Sequence, residues 1–116
     1  MMQAAEARLD RVFHALADRS RRSMVDRLRD SPASVSELAR PLAMALPSVV
    51  KHLAVLEAGG LVASEKAGRV RTYRLAPNAF ADIEAWVGHR KGQVNAQFDR
   101  LEALLQGFGH DGDGEP

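Results

Sequence analysis

The 116-residue chain is long enough for one domain with a short appendage and too short for two full hydrophobic cores. It has no cysteine, which excludes disulfides, thiolate metal sites, iron–sulfur clusters and thiol redox sensing, and no apolar run approaches the roughly 18 residues of a membrane span. Sixteen Lys and Arg against fifteen Asp and Glu leave a net charge of +1, a sum that argues against a polyanion partner until the charges are located.

Glu6, Arg8, Asp10 and Arg11 mix both signs within the first dozen positions, unlike a secretory signal or an acid-poor transit peptide, so a cytoplasmic setting is expected. Ala5, Leu9, Val12, Phe13 and Leu16 form one stripe of a first helix. Asp18 is placed to cap a second, about Arg19 to Arg29, with Met24, Val25 and Leu28 inward. That helix carries Arg19, Arg21, Arg22, Arg27 and Arg29 against Asp26, and Ser31-Pro32 ends it. Ser34 to Glu37 reads as a capping box opening a short third helix with Val35, Leu38 and Leu42 inward, and Pro41 should end or distort it. A fourth helix runs from about Leu46 to Ala58, with Pro47 tolerated in its first turn and Gly59-Gly60 as its stop.

Leu61 to Lys66 and Arg69 to Leu75 then read as two strands of a hairpin turning at Ala67-Gly68. Between residues 40 and 74 six basic side chains face only Glu57 and Glu65. Pro77-Asn78 opens a last helix reaching about Gln106, with Phe80, Ile83, Val87, Val94, Phe98, Leu101 and Leu105 along one stripe and Trp86 and Leu104 beside it. At about 1.5 Å per residue it is roughly 43 Å long, more than a small domain needs for its own core. Gly88 and Gly92 weaken its middle and leave room for a bend there, which the sequence does not decide. The expected division is a domain over 1–106 and an acidic, Gly-rich, disordered tail over 107–116.

A short helix, a turn and an amphipathic helix form a helix-turn-helix, and a basic hairpin directly after it is a wing. The expected fold is mainly α with a small β-hairpin, a winged helix-turn-helix. At 100° per residue, Val49, Leu53 and Leu56 share one side of the fourth helix, while Pro47, Ser48, Lys51, Ala54 and Val55 collect opposite, with His52 on the flank. Small side chains and one lysine make that face slim enough for a major groove about 12 Å wide. Lys66, Arg69 and Arg71 crowd the hairpin turn, where a wing reaches phosphates or the minor groove. Arg21 and Arg22 are further candidates for phosphate contact.

Ala15-Leu16-Ala17-Asp18-Arg19-Ser20-Arg21-Arg22, the helix-turn-helix from Ser36-Glu37-Leu38-Ala39 through Leu46-Pro47-Ser48-Val49-Val50-Lys51-His52-Leu53 to Gly60-Leu61-Val62, and Gly68-Arg69-Val70-Arg71-Thr72-Tyr73-Arg74-Leu75 together resemble the ArsR-type (ArsR/SmtB) winged-helix repressors over roughly residues 9–105. The resemblance implies a homodimeric repressor on an imperfect inverted repeat of double-stranded DNA, read by the helix near 46–58. It also implies that the N- and C-terminal helices form the dimer interface, which here would use Leu9, Phe13, Ile83, Trp86, Val94, Phe98, Leu101 and Leu105. Ala45 and Val50 stand where many members carry serines, and Leu46-Pro47 is similar to a branch not built around metal sensing.

A metal site of the family's kind on the last helix would need an Asp-x-His pair and a His-x-x-His or His-x-x-Glu pair. The chain has Asp82-Ile83-Glu84, and Gly92 three residues after His89, while His14, His52 and His110 are scattered. Ser48 and His52 have helical i, i+4 spacing but no third group or oxyanion hole, so neither a metal, nor a cofactor, nor catalysis is expected. The reading is a DNA-binding transcriptional regulator with a small-molecule effector, if any, that no motif names. The alternatives are a winged-helix protein–protein adaptor without DNA binding and a metal-responsive repressor.

Overall fold

The computed structural model describes the backbone of residues 2–113 and the side chains of residues 3–107. In chain order the elements are α1 (Met2–Leu16), α2 (Arg19–Asp30), β1 (Ala33–Ser34), α3 (Val35–Ala39), a 3-10 turn (Arg40–Leu42), α4 (Leu46–Ala58), β2 (Val62–Ala67), β3 (Val70–Leu75) and α5 (Ala81–Asp113). The chain divides after Ile83 into two units, the first holding everything through the start of α5.

Local chemistry sets most boundaries in the first unit. Asp18 Oδ2 accepts the Arg21 backbone N–H at 3.0 Å, capping α2. That bond is the largest cause holding the Asp18 carboxyl below its ordinary range. Ser34 and Glu37 complete the capping box, the Ser34 N–H reaching Glu37 Oε1 at 2.8 Å and the Glu37 N–H reaching Ser34 Oγ at 3.3 Å. Pro41 falls in the 3-10 turn, and Ala43, with φ 51°, stops it in the left-handed region. The end of α4 is a Schellman motif, with Leu61 N–H donating to Leu56 O and Gly60 N–H to Glu57 O, both at 3.0 Å. Gly60 takes the φ of +75° that this closure requires.

Val49, Leu53 and Leu56 of α4 have no exposed surface at all and form the centre of the core. Around them are Val12 and Ala15 of α1, Met24, Val25 and Leu28 of α2, Leu38 of α3, and Leu61, Val62 and Tyr73 near or in the sheet. Full burial of one such leucine contributes about 1.5–3 kcal/mol, so α4 is tied to its neighbours by several such terms. Its opposite face is free to serve another surface.

The sheet is antiparallel in the order β1-β3-β2. Two features differ from the sequence reading. The two-residue β1, pairing Ala33 with Tyr73 and Ser34 with Thr72, was not expected, since two residues carry no legible alternation. The hairpin loop is Gly68-Arg69 and not Ala67-Gly68, because Ala67 pairs with Val70. Gly68, at φ +64°, takes the first loop position, where a II′-type turn needs glycine.

The last helix also departs from expectation at both ends. Asn78 has φ 59°, which a right-handed helix excludes, so residues 77–80 form a turn and α5 begins at Ala81. α5 then runs without a break through Gly88 and Gly92 to Asp113, beyond the expected end near Gln106. Each glycine lowers helix propensity by about 1 kcal/mol without removing a backbone hydrogen bond, so it weakens the ladder and does not end it. His110 and the rest of the tail after Gly107 lie outside the described side chains. Among the described residues no single helix is long and apolar enough to cross a membrane.

Candidate nucleic-acid interface

The outward face of α4 carries Pro47, Ser48, Lys51 and Ala54, all exposed. Leu46 and Val50 extend it, 49% and 47% exposed. The sequence reading did not single these two out as contacts. The signal was available, since Leu46 and Val50 lie one turn apart on the same side of the helix, off its buried stripe. Ala45 makes no side-chain cap, and Pro47, in the first turn, brings no backbone N–H, so the start of α4 offers apolar shape more than hydrogen-bond donors.

Val55, expected on the same face, is half-buried and packs against the core. The reason is that α1, α2, α3 and β2 all pack on α4, which widens its buried arc beyond the three-residue stripe.

The wing is oriented by its register. Val62, Ser64 and Lys66 share one face with Leu75, Tyr73 and Arg71 opposite them. Val62 and Tyr73 are buried, so this is the face turned toward the helices, and it continues at the tip as the Lys66–Arg71 pair. Two cations directly opposite each other repel, a cost that a bound anion relieves. Arg71 Nη1 donates to Ser64 Oγ at 2.9 Å, and Ser64 Oγ to Glu57 Oε2 of α4 at 3.3 Å, tying the wing to the end of the same helix. Arg74 and Glu65 lie on the other face, and exposed Arg69 stands in the loop.

Arg21, a candidate for phosphate contact, has all three of its guanidinium nitrogens against protein atoms: Nε donates to Ala15 O at 2.7 Å, Nη2 to His14 O at 3.1 Å, and Nη1 lies 3.2 Å from His52 Nδ1. At the end of α1, where the helical ladder runs out of donors, the guanidinium fork reaches two carbonyls at once, one of which, His14 O, also accepts the Ala17 N–H at 3.2 Å. Arg22 Nη1 similarly donates to Leu16 O at 2.7 Å, but its side chain is exposed and keeps other donors for solvent or an anion. His52, flanking the outward face, has a side chain only 20% exposed. Among the described residues no group of three His, Asp or Glu side chains is arranged to hold a metal.

In the second unit, α5 carries a stripe of exposed apolar side chains: Trp86, Val87, Val94, Phe98, Leu101, Leu104 and Leu105. Arg90 lies over the Trp86 ring, 4.8 Å from its centroid. Leu9 and Ile83 are half-buried and Phe13 is exposed, so the expected interface residues of the first unit are only partly covered by its core.

A helix-turn-helix domain model matches residues 16–65. HTH-type transcriptional regulator Rv2034 of Mycobacterium tuberculosis is 46% identical over 74 residues, which is 64% of this chain and 69% of that protein. The crystal structure of an ArsR family transcriptional regulator, RHA00566, superposes with a TM-score of 0.74 at 42% identity, covering 78% of this chain and 93% of that one. The chain belongs to the ArsR family. A solution structure described as a homodimeric winged helix-turn-helix DNA-binding domain, Mb0332 (fragment 1–100) from Mycobacterium bovis, matches this ArsR-family chain with a TM-score of 0.65 at 30% identity over 88% of it. The aligned stretches span from about half to just over two thirds of the curated ArsR-like relatives. In ArsR-family terms α3 and α4 are the helix-turn-helix and the β2–β3 hairpin is the wing.

Proposed function

We propose that the protein is a dimeric repressor that occupies an inverted-repeat operator, with α4 in the major groove and the wing on the flanking backbone. The observation that carries this reading is the placement of Lys66 and Arg71 side by side on the wing face that points toward α4, where a phosphate would relieve their repulsion. Arg69 and Arg22 add phosphate contacts. Lys51 and Ser48 supply polar base readout, and Pro47, Val50 and Leu46 read shape and thymine methyl groups. Such a protein acts where the chromosome is, and no catalytic step is assigned.

Gel-shift titrations against the region upstream of its own gene test this assignment. Lys51→Ala is expected to reduce the preference for operator over random duplex by about 5- to 150-fold, the size of a lost base contact. Arg69→Ala is expected to weaken all duplexes alike. Equal losses on every sequence for both variants would remove the division of labour. Binding of a protein partner without any duplex binding would favour the adaptor reading.

Replacing operator thymines by uracil removes only the C5-methyl group. If Leu46 and Val50 read methyls, single replacements in each half-site should lower affinity at the positions under α4 and nowhere else. A Val50→Ser protein should be insensitive to the same replacement. Uracil tolerated at every position would leave α4 with polar readout alone.

A further inference from the structure

The contacts of Arg21 join three elements, since it starts in α2, reaches two carbonyls at the end of α1 and meets the one histidine of α4. A guanidinium carries donors only and stays charged at every accessible pH. A hydrogen bond from Nη1 to His52 Nδ1 at 3.2 Å therefore needs the lone pair on Nδ1, which places the proton of the neutral ring on Nε2. Asp18 Oδ2 lies 3.9 Å from the same Nδ1, beyond hydrogen-bond length, and already accepts the Arg21 backbone N–H. Asp18 thus steadies Arg21 without competing for the ring.

We propose that Arg21 is a positioning residue for DNA reading. It holds His52 as the Nε2–H tautomer and sets the seat of α4 against the end of α1. Three of its five N–H donors are used inside the protein and not on a phosphate. The proposal rests on α4 being the reading helix. With Nδ1 occupied, His52 offers DNA one donor, so it can meet an acceptor (a phosphate oxygen, or O6, N7 or O4 on a base edge) and must reject the exocyclic amines of adenine and cytosine.

Three measurements test the proposal. Long-range proton–nitrogen spectra of the full chain without DNA should show the Nε2–H form of His52 with a hydrogen-bonded Nδ1, and the Nδ1 signal should move in Arg21→Lys. An Nδ1–H ring, or a signal indifferent to the substitution, would overturn the tautomer assignment. In salt titrations Arg21→Lys should keep the wild-type dependence on salt while losing about tenfold or more of the operator-over-random preference. A phosphate-binding Arg21 would behave in the opposite way: lysine would retain the preference, and Arg21→Gln would lower the log–log slope by about 0.9 per contact. His52→Gln leaves the α1 carbonyl bonds intact and covers the case in which Arg21 variants fold poorly. It should lose preference by a similar factor, and the Arg21→Lys, His52→Gln double variant should lose no more than the worse single one, whereas multiplied losses would show two independent roles. If the wild type prefers no sequence at all, the DNA-reading assignment fails while the spectra still decide the tautomer.

Discussion

Raising monovalent salt from about 50 to about 200 mM is expected to weaken binding to any duplex by about 10⁴-fold. A dimer presents two copies of Arg22, Lys66, Arg69 and Arg71, and each neutralised phosphate contributes about −0.9 to the slope of log affinity on log salt, for a slope near −7. Arg69→Ala removes one contact per protomer, so its slope should be shallower by about 2. Lys66→Ala should behave likewise and should also stabilise the free hairpin slightly, because it relieves the repulsion across the Lys66–Arg71 pair. A wild-type slope near zero would falsify the wing's assignment to the phosphate backbone. The near-neutral whole-chain charge does not weaken this expectation. Attraction to a polyanion depends on the local field, and the acids of residues 75–116 all lie beyond the start of α5, away from the wing in sequence.

The sequence made the helices and their caps legible because each rests on chemistry within a few residues. Asp18, the Ser34–Glu37 box and the Gly59-Gly60 stop are local signals, and the structure uses all of them. The same holds for the core stripe Val49, Leu53 and Leu56. What escaped reading depends on partners distant in the chain. β1 exists only because β3, about forty residues later, offers it a ladder. Val55 is drawn inward by the number of elements that surround α4, which a helical wheel cannot count. Arg21 looks like a surface cation in any one-dimensional reading, and only the meeting of the α1 end with His52 shows where its donors go. The late start of α5 had a visible signal in Asn78, a residue that tolerates the left-handed region more readily than most.

A chain bearing Phe98→Glu and Leu101→Glu is expected to be a monomer with a folded winged helix and about 10²- to 10⁴-fold weaker operator binding. Phe98 is 65% exposed and Leu101 48%, and together with Val94, Leu104 and Leu105 they form one exposed apolar stripe of α5. Contiguous apolar surface of this kind marks an interface, and a second copy of the same stripe is the self-complementary partner that two-fold symmetry supplies. Glutamate is a good helix former, so the substitutions leave α5 helical and change no residue that belongs to the first unit's core. Thermal unfolding followed through the winged helix should therefore change little, while sedimentation should report half the mass. Binding to an isolated half-site should match the wild type's half-site affinity, because the loss comes from separating two linked readers and not from damage to either. A wild type that sediments as a monomer, or a double variant that remains a dimer, would move the interface off this stripe. The first outcome would point to a different protein covering it, and the second to the exposed surface of α1 around Phe13 as sufficient on its own.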